Sequence, residues 1–434
     1  MLAAPVCAGI SAYALCLYLC RRPGPALLGG WIFGFSSFAA AHLNQQLNLE
    51  WDVLLPLLAL VGLRRLQNEA GSWTTILCLA LLLALQAGMS LELCATSCLF
   101  AGLSWLLAFW LLPLWRGRLW RLAWDVMLAA PLTICLLSPM LWAMFGQPHD
   151  MSLPKMWPEF FATDPLNFVF PTVSSRLGGQ AFLPLTSHFA GLVCEQAGYL
   201  GLPLLFILWR YLRRSGAFPV MLLLCVLVLT LGPELVVSGQ PSGLPLPWLV
   251  VTKLPLIGNA LPARFMVYAF MLAAIFIALW LAQAPTRGRW VAAGLAVLFL
   301  WPAPASVEAI PVQPFFTPSE IVKTIGPDKR VLVLPWGIFS PSMYWQAKSD
   351  FVFSQIGGYL VFPPARVQQN GPLMRLFFGQ IDDQSLPALK AYALASGVQD
   401  VIVAPGTDPR LAAGIASWGW PARQVDGVSL YTAP

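Results

Sequence analysis

Long apolar runs separated by short polar segments dominate roughly the first 300 residues of the chain. A helix needs about 17–25 residues to cross a bilayer. Runs of this length are Leu2–Cys20, Pro25–Ala41, Thr74–Leu91, Leu93–Leu112, Leu122–Phe145, Ala217–Val237 and Phe265–Ala282. Three shorter runs reach this length when neighbouring residues are included: Val53–Leu63, Ala197–Trp209 and Trp290–Trp301. The pattern predicts an α-helical polytopic membrane protein with about ten transmembrane helices.

Arginine clusters mark alternate loops of this ten-helix arrangement. The clusters that follow the odd-numbered helices are Arg21 and Arg22; Arg64 and Arg65; Arg116, Arg118 and Arg121; Arg210, Arg213 and Arg214; and Arg287 and Arg289. Because positively charged loops stay in the cytoplasm, these loops are predicted to share the cytoplasmic face. The other loops, with all three histidines of the chain, then lie on the opposite face, which is periplasmic or extracellular.

The composition changes after Pro302, where closely spaced prolines lead into a more polar region. Short runs typical of buried strands are Arg330–Pro335, Asp350–Phe353, Asp400–Ala404 and Val428–Thr432, and helical patterns cover Ser319–Thr324 and Leu386–Ala395. Strands that alternate with helices indicate a small α/β domain. We therefore expect a transmembrane helical domain over residues 1–303 and an extracytoplasmic, periplasmic or extracellular, α/β domain over 304–434.

The composition also restricts the class of protein. Hydrophobic residues make up 58% of the 434 residues and charged residues only 10%, against about 45–50% and about 25% in soluble domains. This excludes a soluble enzyme, a disordered chain and a nucleic-acid-binding protein, and membrane lipids are the expected surroundings. The net charge of +6 reflects the orientation of the loops. The nine cysteines all precede the C-terminal domain, which argues against a disulfide framework or a zinc site.

Sequence motifs of soluble catalysis are missing from the chain. It has no phosphate-binding Gly-x4-Gly-Lys, no Gly-x-Gly-x-x-Gly, no His-Glu-x-x-His and no Gly-x-Ser-x-Gly. ATP-driven transport is therefore not supported. Acidic residues of the helices, such as Glu92, Asp125 and Glu234, lie near helix ends rather than near the midplane, which argues against a proton-coupled transporter.

The most polar segment between two predicted helices runs from His42 to Asp52. It contains Glu50 and Asp52, and two carboxylates with this spacing can hold a divalent cation, Mg²⁺ or Mn²⁺, that neutralises a phosphate leaving group. Either carboxylate could instead act as a catalytic base. The alternative is a solvated helix start with Asp52 near an N-cap position.

A long outer loop, Gly146–Gln196, supplies further candidates. Asp150 and Asp164 are candidate catalytic carboxylates, and His149 and His188, with His42 of the preceding segment, are candidate substrate ligands. Aromatic residues are interleaved with these charges, and amphipathic aromatic stretches often lie in the membrane interface. Such a loop could cover a lipid-linked substrate. The alternative is a loop that only packs on the outer ends of the helices.

Two cations stand on the outer face, where positive charge is disfavoured. Lys253 lies in an outer loop, and Arg264 lies where that loop enters a helix. Arginine binds phosphate with paired hydrogen bonds, so both residues are candidate ligands for a polyprenyl phosphate. The alternative is that their side chains extend towards lipid headgroups.

Several segments together resemble a known class of membrane enzyme. They are Phe33–Ser36, His42–Asn44, Pro56–Leu58, Gly198–Leu202, Leu261–Phe265 and the end of the C-terminal domain, Asp426–Tyr431. These resemble uncharacterised bacterial membrane proteins that are similar to GT-C-type glycosyltransferases. The resemblance covers most of the chain. It implies a polyprenyl-phosphate sugar donor, a cell-envelope glycan or lipid as acceptor, and reaction on the outer face.

The same resemblance implies a large first outer loop with one or two catalytic carboxylates. The first outer loop of this chain is only His42–Asp52, and the first helix begins at Met1 without a preceding basic stretch. Two explanations follow. Either Glu50 and Asp52 stand in for those carboxylates, or the catalytic portion lies upstream of Met1, and the abrupt start favours the second.

The sequence thus favours an integral membrane glycosyltransferase, with Glu50, Asp52, Asp150 and Asp164 as catalytic candidates. Two alternatives stay open. A non-enzymatic scaffold for envelope assembly would use the outer α/β domain to bind a partner. A lipid or glycolipid transporter would have a water-accessible cavity that reaches the cytoplasmic face.

Overall fold

A computed structural model describes residues 3–43, 46–146, 158, 160–254, 257–304, 313–359 and 363–434. The described residues form two compact units. The first comprises residues up to 304, and the second begins at 313 and runs to the C-terminus.

The first unit is helical. Its described helices that are long and apolar enough to cross a membrane are Ala3–Cys20, Pro23–His42, Ser72–Met89, Leu91–Leu111, Pro113–Phe145 and Pro262–Gln283. Further apolar helices have only 11–14 residues: Leu54–Leu66, Leu202–Leu212, Ala217–Thr230 and Arg287–Phe299. Short helical turns are Leu47–Glu50, Pro165–Phe168, Leu183–Thr186, Val193–Glu195 and Trp248–Val251. The chain is a multi-pass membrane protein, but the predicted count of about ten spans is not confirmed.

Two of the predicted spans are interrupted. The helix predicted over Ala217–Val237 ends at Thr230, and Glu234–Val237 forms strand β1, which pairs antiparallel with β2, Gln240–Pro245. The intervening Gly232 has a φ of +86°, which ends the helix because such a backbone favours glycine. The helix predicted over Pro25–Ala41 is divided into Pro23–Gly34 and Ser37–His42. Ser36 caps the second segment, because its side chain accepts a hydrogen bond from the backbone N–H of Ala39.

One helix forms the centre of the first unit. In Pro262–Gln283, 83% of the most apolar stretch is buried, whereas in Pro113–Phe145 only 6% is buried. The central helix packs against Ala3–Cys20 and Pro23–Gly34 on one side and against Leu202–Leu212 and Ala217–Thr230 on another. A helix that is apolar all round is stable only when it is surrounded. The central helix meets this condition, whereas Pro113–Phe145 leaves most of its apolar surface exposed within the described structure, as expected of a helix that faces lipid.

Glycines allow the first two helices to approach closely. A Cβ atom added at Gly30 would lie 2.5 Å from the carbonyl oxygen of Gly9, and one added at Gly34 would lie 2.7 Å from the amide nitrogen of Gly9. Both obstacles are backbone atoms, which cannot rotate away as a side chain can. Small residues four apart are a common way for membrane helices to pack. This pair of helices therefore depends on the glycine spacing.

We expect Gly34→Ala to destabilise the protein by about 1–3 kcal/mol, because the added methyl group forces the two helices apart. Gly102→Ala is the matched control, since Gly102 also lies in a membrane helix and nothing stands within 4 Å of its added Cβ. Thermal unfolding of both variants in the same detergent compares them. Equal unfolding temperatures for the two variants would contradict the close packing.

The second unit contains a five-stranded sheet. Its strands are β3 Lys329–Leu334, β4 Phe353–Gln355, β5 Asp400–Val403, β6 Ala422–Val425 and β7 Val428–Thr432. Their order in the sheet is β4-β3-β5-β7-β6. Strands β4, β3 and β5 are parallel, and β7 runs antiparallel to both β5 and β6. The helices are Pro318–Ile325, Ser342–Lys348, Ala365–Gln368, Gly371–Phe377, Ser385–Ala395 and Pro409–Ala416.

Apolar cores lie on both faces of this sheet. Leu332 and Leu334 of β3 enter one core, and Val331 and Val333 enter the other. A strand that is covered on both faces reads as a continuous apolar run, as β3 does. The expected C-terminal sheet is confirmed. Two details differ: β4 begins at Phe353 rather than Asp350, where a positive φ of 50° makes a turn, and β6 was not predicted.

Candidate functional site

A buried ionic cluster surrounds Arg264 at the start of the central helix. Its Nε donates to both carboxylate oxygens of Glu195, at 3.0 and 3.2 Å, and its Nη2 donates to Glu195 Oε1 at 2.6 Å. Its Nη1 donates to the carboxylate of Glu92. A guanidinium that bonds a carboxylate through two nitrogens is held in a fixed orientation. Arg264 thus joins two carboxylates that are far apart in the sequence.

Two further side chains complete this cluster. Gln46 Nε2 donates to Glu195 Oε1 at 2.9 Å, and Gln46 Oε1 accepts from Arg264 Nη2 at 3.3 Å. His42 Nε2 lies 3.6 Å from Glu195 Oε2, while its Nδ1 lies 2.7 Å from the carbonyl oxygen of Phe38. We call Arg264, Glu195, Glu92, Gln46 and His42 the Arg264 cluster.

Local structure positions both carboxylates. Glu195 closes the helical turn Val193–Glu195, and Glu92 lies in the first turn of Leu91–Leu111, where a negative charge favours the helix dipole. Glu92 Oε1 also accepts from the backbone N–H of Leu261 at 2.9 Å. The cluster therefore ties the starts of two membrane helices to the outer loop.

One guanidinium faces two carboxylates in this cluster. Burial raises the pKa of Glu195, but the charge and hydrogen bonds of Arg264, together with the nearby His42, outweigh burial and hold that pKa well below its usual range. Each terminal nitrogen of the guanidinium, and its Nε, already has an acceptor. Four of the five N–H groups of Arg264 have an acceptor among the described residues, so a phosphate that binds through two N–H groups would have to displace at least one of these acceptors. The predicted phosphate role of Arg264 stays a prediction, and the alternative of a side chain extended towards lipid is not what the geometry shows.

Glu50 and Asp52 are buried rather than solvated. Each is only 4% exposed, and Asp52 does not cap the following helix with its side chain. Both carboxylate oxygens of Glu50 are buried without a hydrogen-bond partner among the described residues. Burial raises the pKa of Glu50 to about 7. Burial, and then the nearby charge of Glu50, raise the pKa of Asp52 well above its usual range.

The fit of this pair to a divalent cation is partial. Within the described ranges, no group of three His, Cys, Asp or Glu side chains is placed to hold a metal ion. Mg²⁺ often binds through one or two carboxylates and takes its other ligands from water and substrate phosphates. The unpartnered oxygens of Glu50 suit that mode of binding, in which the substrate completes the site. The cation stays a prediction.

The other predicted residues do not join these two groups. Asp164 is buried and accepts hydrogen bonds from the backbone N–H groups of Leu166, at 3.0 Å, and Gly239, at 3.2 Å, so it stabilises a turn. Burial raises the pKa of Asp164 despite these bonds. His188 and Lys253 are exposed. Predicted residues that lie outside the described part of the chain are His149 and Asp150.

Sequence reasoning missed the partners of Arg264. Glu195, Glu92 and Gln46 come from three different segments, and only the folded chain brings them to one guanidinium. One signal was present: a cation at the start of an apolar helix needs counter-charges, and Glu92 and Glu195 are acidic residues on the same predicted face of the membrane.

Comparison with known proteins supports the architecture. No protein-family model matches the chain, and no curated protein matches it. Its fold is similar to that of arabinofuranosyltransferase AftD from Mycobacteria, determined by single-particle cryo-EM, with a TM-score of 0.54 and 14% sequence identity. The similarity covers 99% of this chain but 34% of AftD, so the chain spans about a third of the length of that protein. The predicted resemblance to GT-C-type membrane glycosyltransferases is thereby confirmed at the level of the fold.

Proposed function

We propose that this protein acts in glycosyl transfer at the bacterial inner membrane. It would move a sugar from a polyprenyl-phosphate donor to a cell-envelope glycan or lipid on the outer face. The observation that supports this most strongly is the similarity in fold to an arabinofuranosyltransferase over 99% of the chain. The membrane helices and the C-terminal α/β unit are both included in that similarity.

In this proposal Glu50 is the catalytic base. Its carboxylate takes the proton from an acceptor hydroxyl, and the acceptor oxygen attacks the anomeric carbon of the donor sugar. The bond between that carbon and the donor phosphate breaks, and the phosphate leaves with the electron pair. A base is most effective when its pKa lies near the working pH, and the pKa of Glu50 is about 7.

Asp52 has a supporting role beside Glu50. Without a cation, burial and the nearby charge of Glu50 raise the pKa of Asp52 well above its usual range, which favours the neutral form of Asp52 beside the base. If Asp52 and Glu50 instead hold a Mg²⁺ or Mn²⁺ together with substrate oxygens, that cation would supply positive charge for the leaving phosphate.

In our proposal the Arg264 cluster has a structural role beside this site. Its guanidinium is already bonded to Glu195, Glu92 and Gln46, so we assign it to holding the outer ends of the helices in register. Gln46 belongs to this cluster and precedes Glu50 by four residues. The network can therefore fix the segment that carries the proposed base.

The proposed function is tested with membranes from the native host. Membranes that lack the protein, with and without restoration of its gene, receive synthetic polyprenyl phosphates that each carry a different radiolabelled sugar. We expect incorporation into envelope glycan or lipid from one of these donors to be lost and then restored. Unchanged incorporation from every donor would reject the transferase and favour the non-enzymatic assembly role.

A further inference from the structure

The second unit contains a cavity of about 680 Å³ that the proposed transfer site does not use. It lies at the carboxyl ends of two parallel strands. Pro335 and Trp336 follow β3 directly, Pro405 and Gly406 follow β5 after one residue, and all four line the cavity. Its volume is within the range of about 300–1,000 Å³ that small-ligand sites occupy.

The topology of the sheet opens a crevice at this place. After β3 the chain crosses to β4 on one side, and after β5 it crosses to β6 and β7 on the other side. The two connections leave in opposite directions, so the chain separates between the ends of β3 and β5. Open α/β sheets bind ligands at such switch points, outside the carboxyl ends of the strands.

Aromatic rings line the cavity and one of them lies open to solvent. Phe339 is 77% exposed, while Tyr344 is half-buried. Behind them Trp336 and Phe377 are buried, with their ring centroids 5.3 Å apart in an edge-to-face arrangement. Packing explains the buried pair. It does not explain a phenylalanine that exposes three quarters of its surface at the mouth of a cavity.

The charge of the lining restricts the ligand. Among the described residues that line the cavity, Asp408 is the only one with a charged side chain, and Arg410 pairs with it at 3.0 Å. The charges of this pair cancel, so a phosphate or carboxylate ligand would have to compete with Asp408 for the guanidinium of Arg410. The remaining polar groups are neutral, among them the hydroxyls of Ser340 and Tyr344. An uncharged ligand with several hydroxyls can bond to the Tyr344 hydroxyl and the Asp408 carboxylate, whereas Ser340 already bonds to two backbone groups.

We propose that the cavity is a binding site for a neutral oligosaccharide, the acceptor glycan of the transfer reaction. The assignment of this glycan as the acceptor rests on the proposed function. Sugar rings carry C–H groups on one face, which can stack on the exposed ring of Phe339, and hydroxyls on their edge, which can donate to Asp408. The site recruits glycan to the protein, and the transfer itself takes place elsewhere.

Binding is measured with the full-length protein in lipid nanodiscs. The probes are neutral oligosaccharides released by mild acid from the envelope of the native host, and inorganic phosphate is the charged comparison. Isothermal titration calorimetry gives the dissociation constants. We expect saturable binding of the oligosaccharides and none of phosphate. Absence of saturable oligosaccharide binding, or binding of phosphate alone, overturns the proposal.

A pair of variants locates the binding. Phe339→Ala should weaken it about tenfold, because the stacking ring is lost, and Phe339→Trp should retain it. Phe351→Ala is the matched control, since Phe351 is 65% exposed in the same unit and does not line the cavity. Equal weakening by both alanine variants would place the glycan elsewhere. Because Phe339 is exposed, its replacement should leave the unfolding temperature unchanged.

Binding and transfer can fail separately. Binding that depends on Phe339, in a protein that transfers no sugar from any donor, retains the glycan site and rejects the transferase. In the converse case, Phe339→Ala leaves transfer unchanged at every oligosaccharide concentration and no binding is measured. That result retains the transferase and rejects the glycan site.

Discussion

Glu50→Gln is expected to lower the rate of sugar transfer by about 10²–10⁴-fold, the usual contribution of a catalytic base. The amide is close in size to the carboxylate but cannot accept a proton from the acceptor hydroxyl. The measurement is transfer of a radiolabelled sugar from the polyprenyl-phosphate donor that the native membranes use. Glu69→Gln is the control, because Glu69 is a half-exposed acid that pairs with Arg21 at 3.6 Å on the surface. An unchanged rate in Glu50→Gln would remove Glu50 from the reaction.

The pH dependence of the wild-type rate provides a second measurement. Because the carboxylate form is the base, the rate should rise as the pH passes through about 7, the raised pKa of Glu50. The residual rate of Glu50→Gln should lack this rise. A wild-type rate that is flat between pH 6 and about 8 would contradict the role of Glu50.

Stability should change with pH in the opposite direction. The pKa of Glu50 rises on folding from its ordinary value of 4.5 to about 7, so the folded protein binds the proton more tightly. The stability that this proton provides is present below about pH 4.5 and is lost as the pH rises through about 7. Glu50→Gln avoids burying a charge, so at pH 8 it should be at least as stable as the wild type. A loss of transfer in this variant therefore cannot be ascribed to unfolding.

Arg264→Met is expected to destabilise the protein by about 3–5 kcal/mol, because it leaves the buried carboxylate of Glu195 and that of Glu92 without their cation. Unfolding by increasing fractions of SDS in mixed micelles measures the change. Arg21→Met is the control, since Arg21 is largely exposed and its pair with Glu69 should contribute less than about 1 kcal/mol.

A double variant separates the lost ion pair from lost packing. Adding Glu195→Gln to Arg264→Met removes the charge that was left unpaired, so it should restore part of the lost stability. Glu195→Gln alone should be destabilising, since Arg264 then faces only one carboxylate. If the double variant is no more stable than Arg264→Met, the cluster stabilises the fold by packing rather than by its charges.

The positions of most helices and strands follow from local pattern. A membrane helix satisfies its backbone internally, so a long apolar run such as Phe265–Ala282 is enough to predict Met266–Gln283. The apolar run of β3 and that of β5 likewise match strands that are covered on both faces. The number of spans could not be obtained in this way. Leu202–Leu212 is apolar but has 11 residues, and composition does not reveal where a helix stops.

The candidate site shows the same division between local and long-range information. The residue types at Glu50 and Asp52 suggested chemistry, but solvated and buried carboxylates look alike in a sequence. Only packing decided that both are buried, and burial is what raises the pKa of Glu50 to about 7. The partner of Arg264 was equally hidden, since Glu195 precedes it by 69 residues.

Local sequence pattern was enough to predict the class of this protein and the approximate place of its helices and strands, because hydrophobic period and composition act over neighbouring residues. The resemblance to GT-C-type glycosyltransferases came instead from particular segments such as Leu261–Phe265. The tertiary structure decided which charges meet, which carboxylates are buried, and that the loops after β3 and β5 enclose a cavity with Phe339 at its mouth. Those features depend on contacts between residues far apart in the chain. Their energies come from burial and charge pairing, which exist only once the chain has folded.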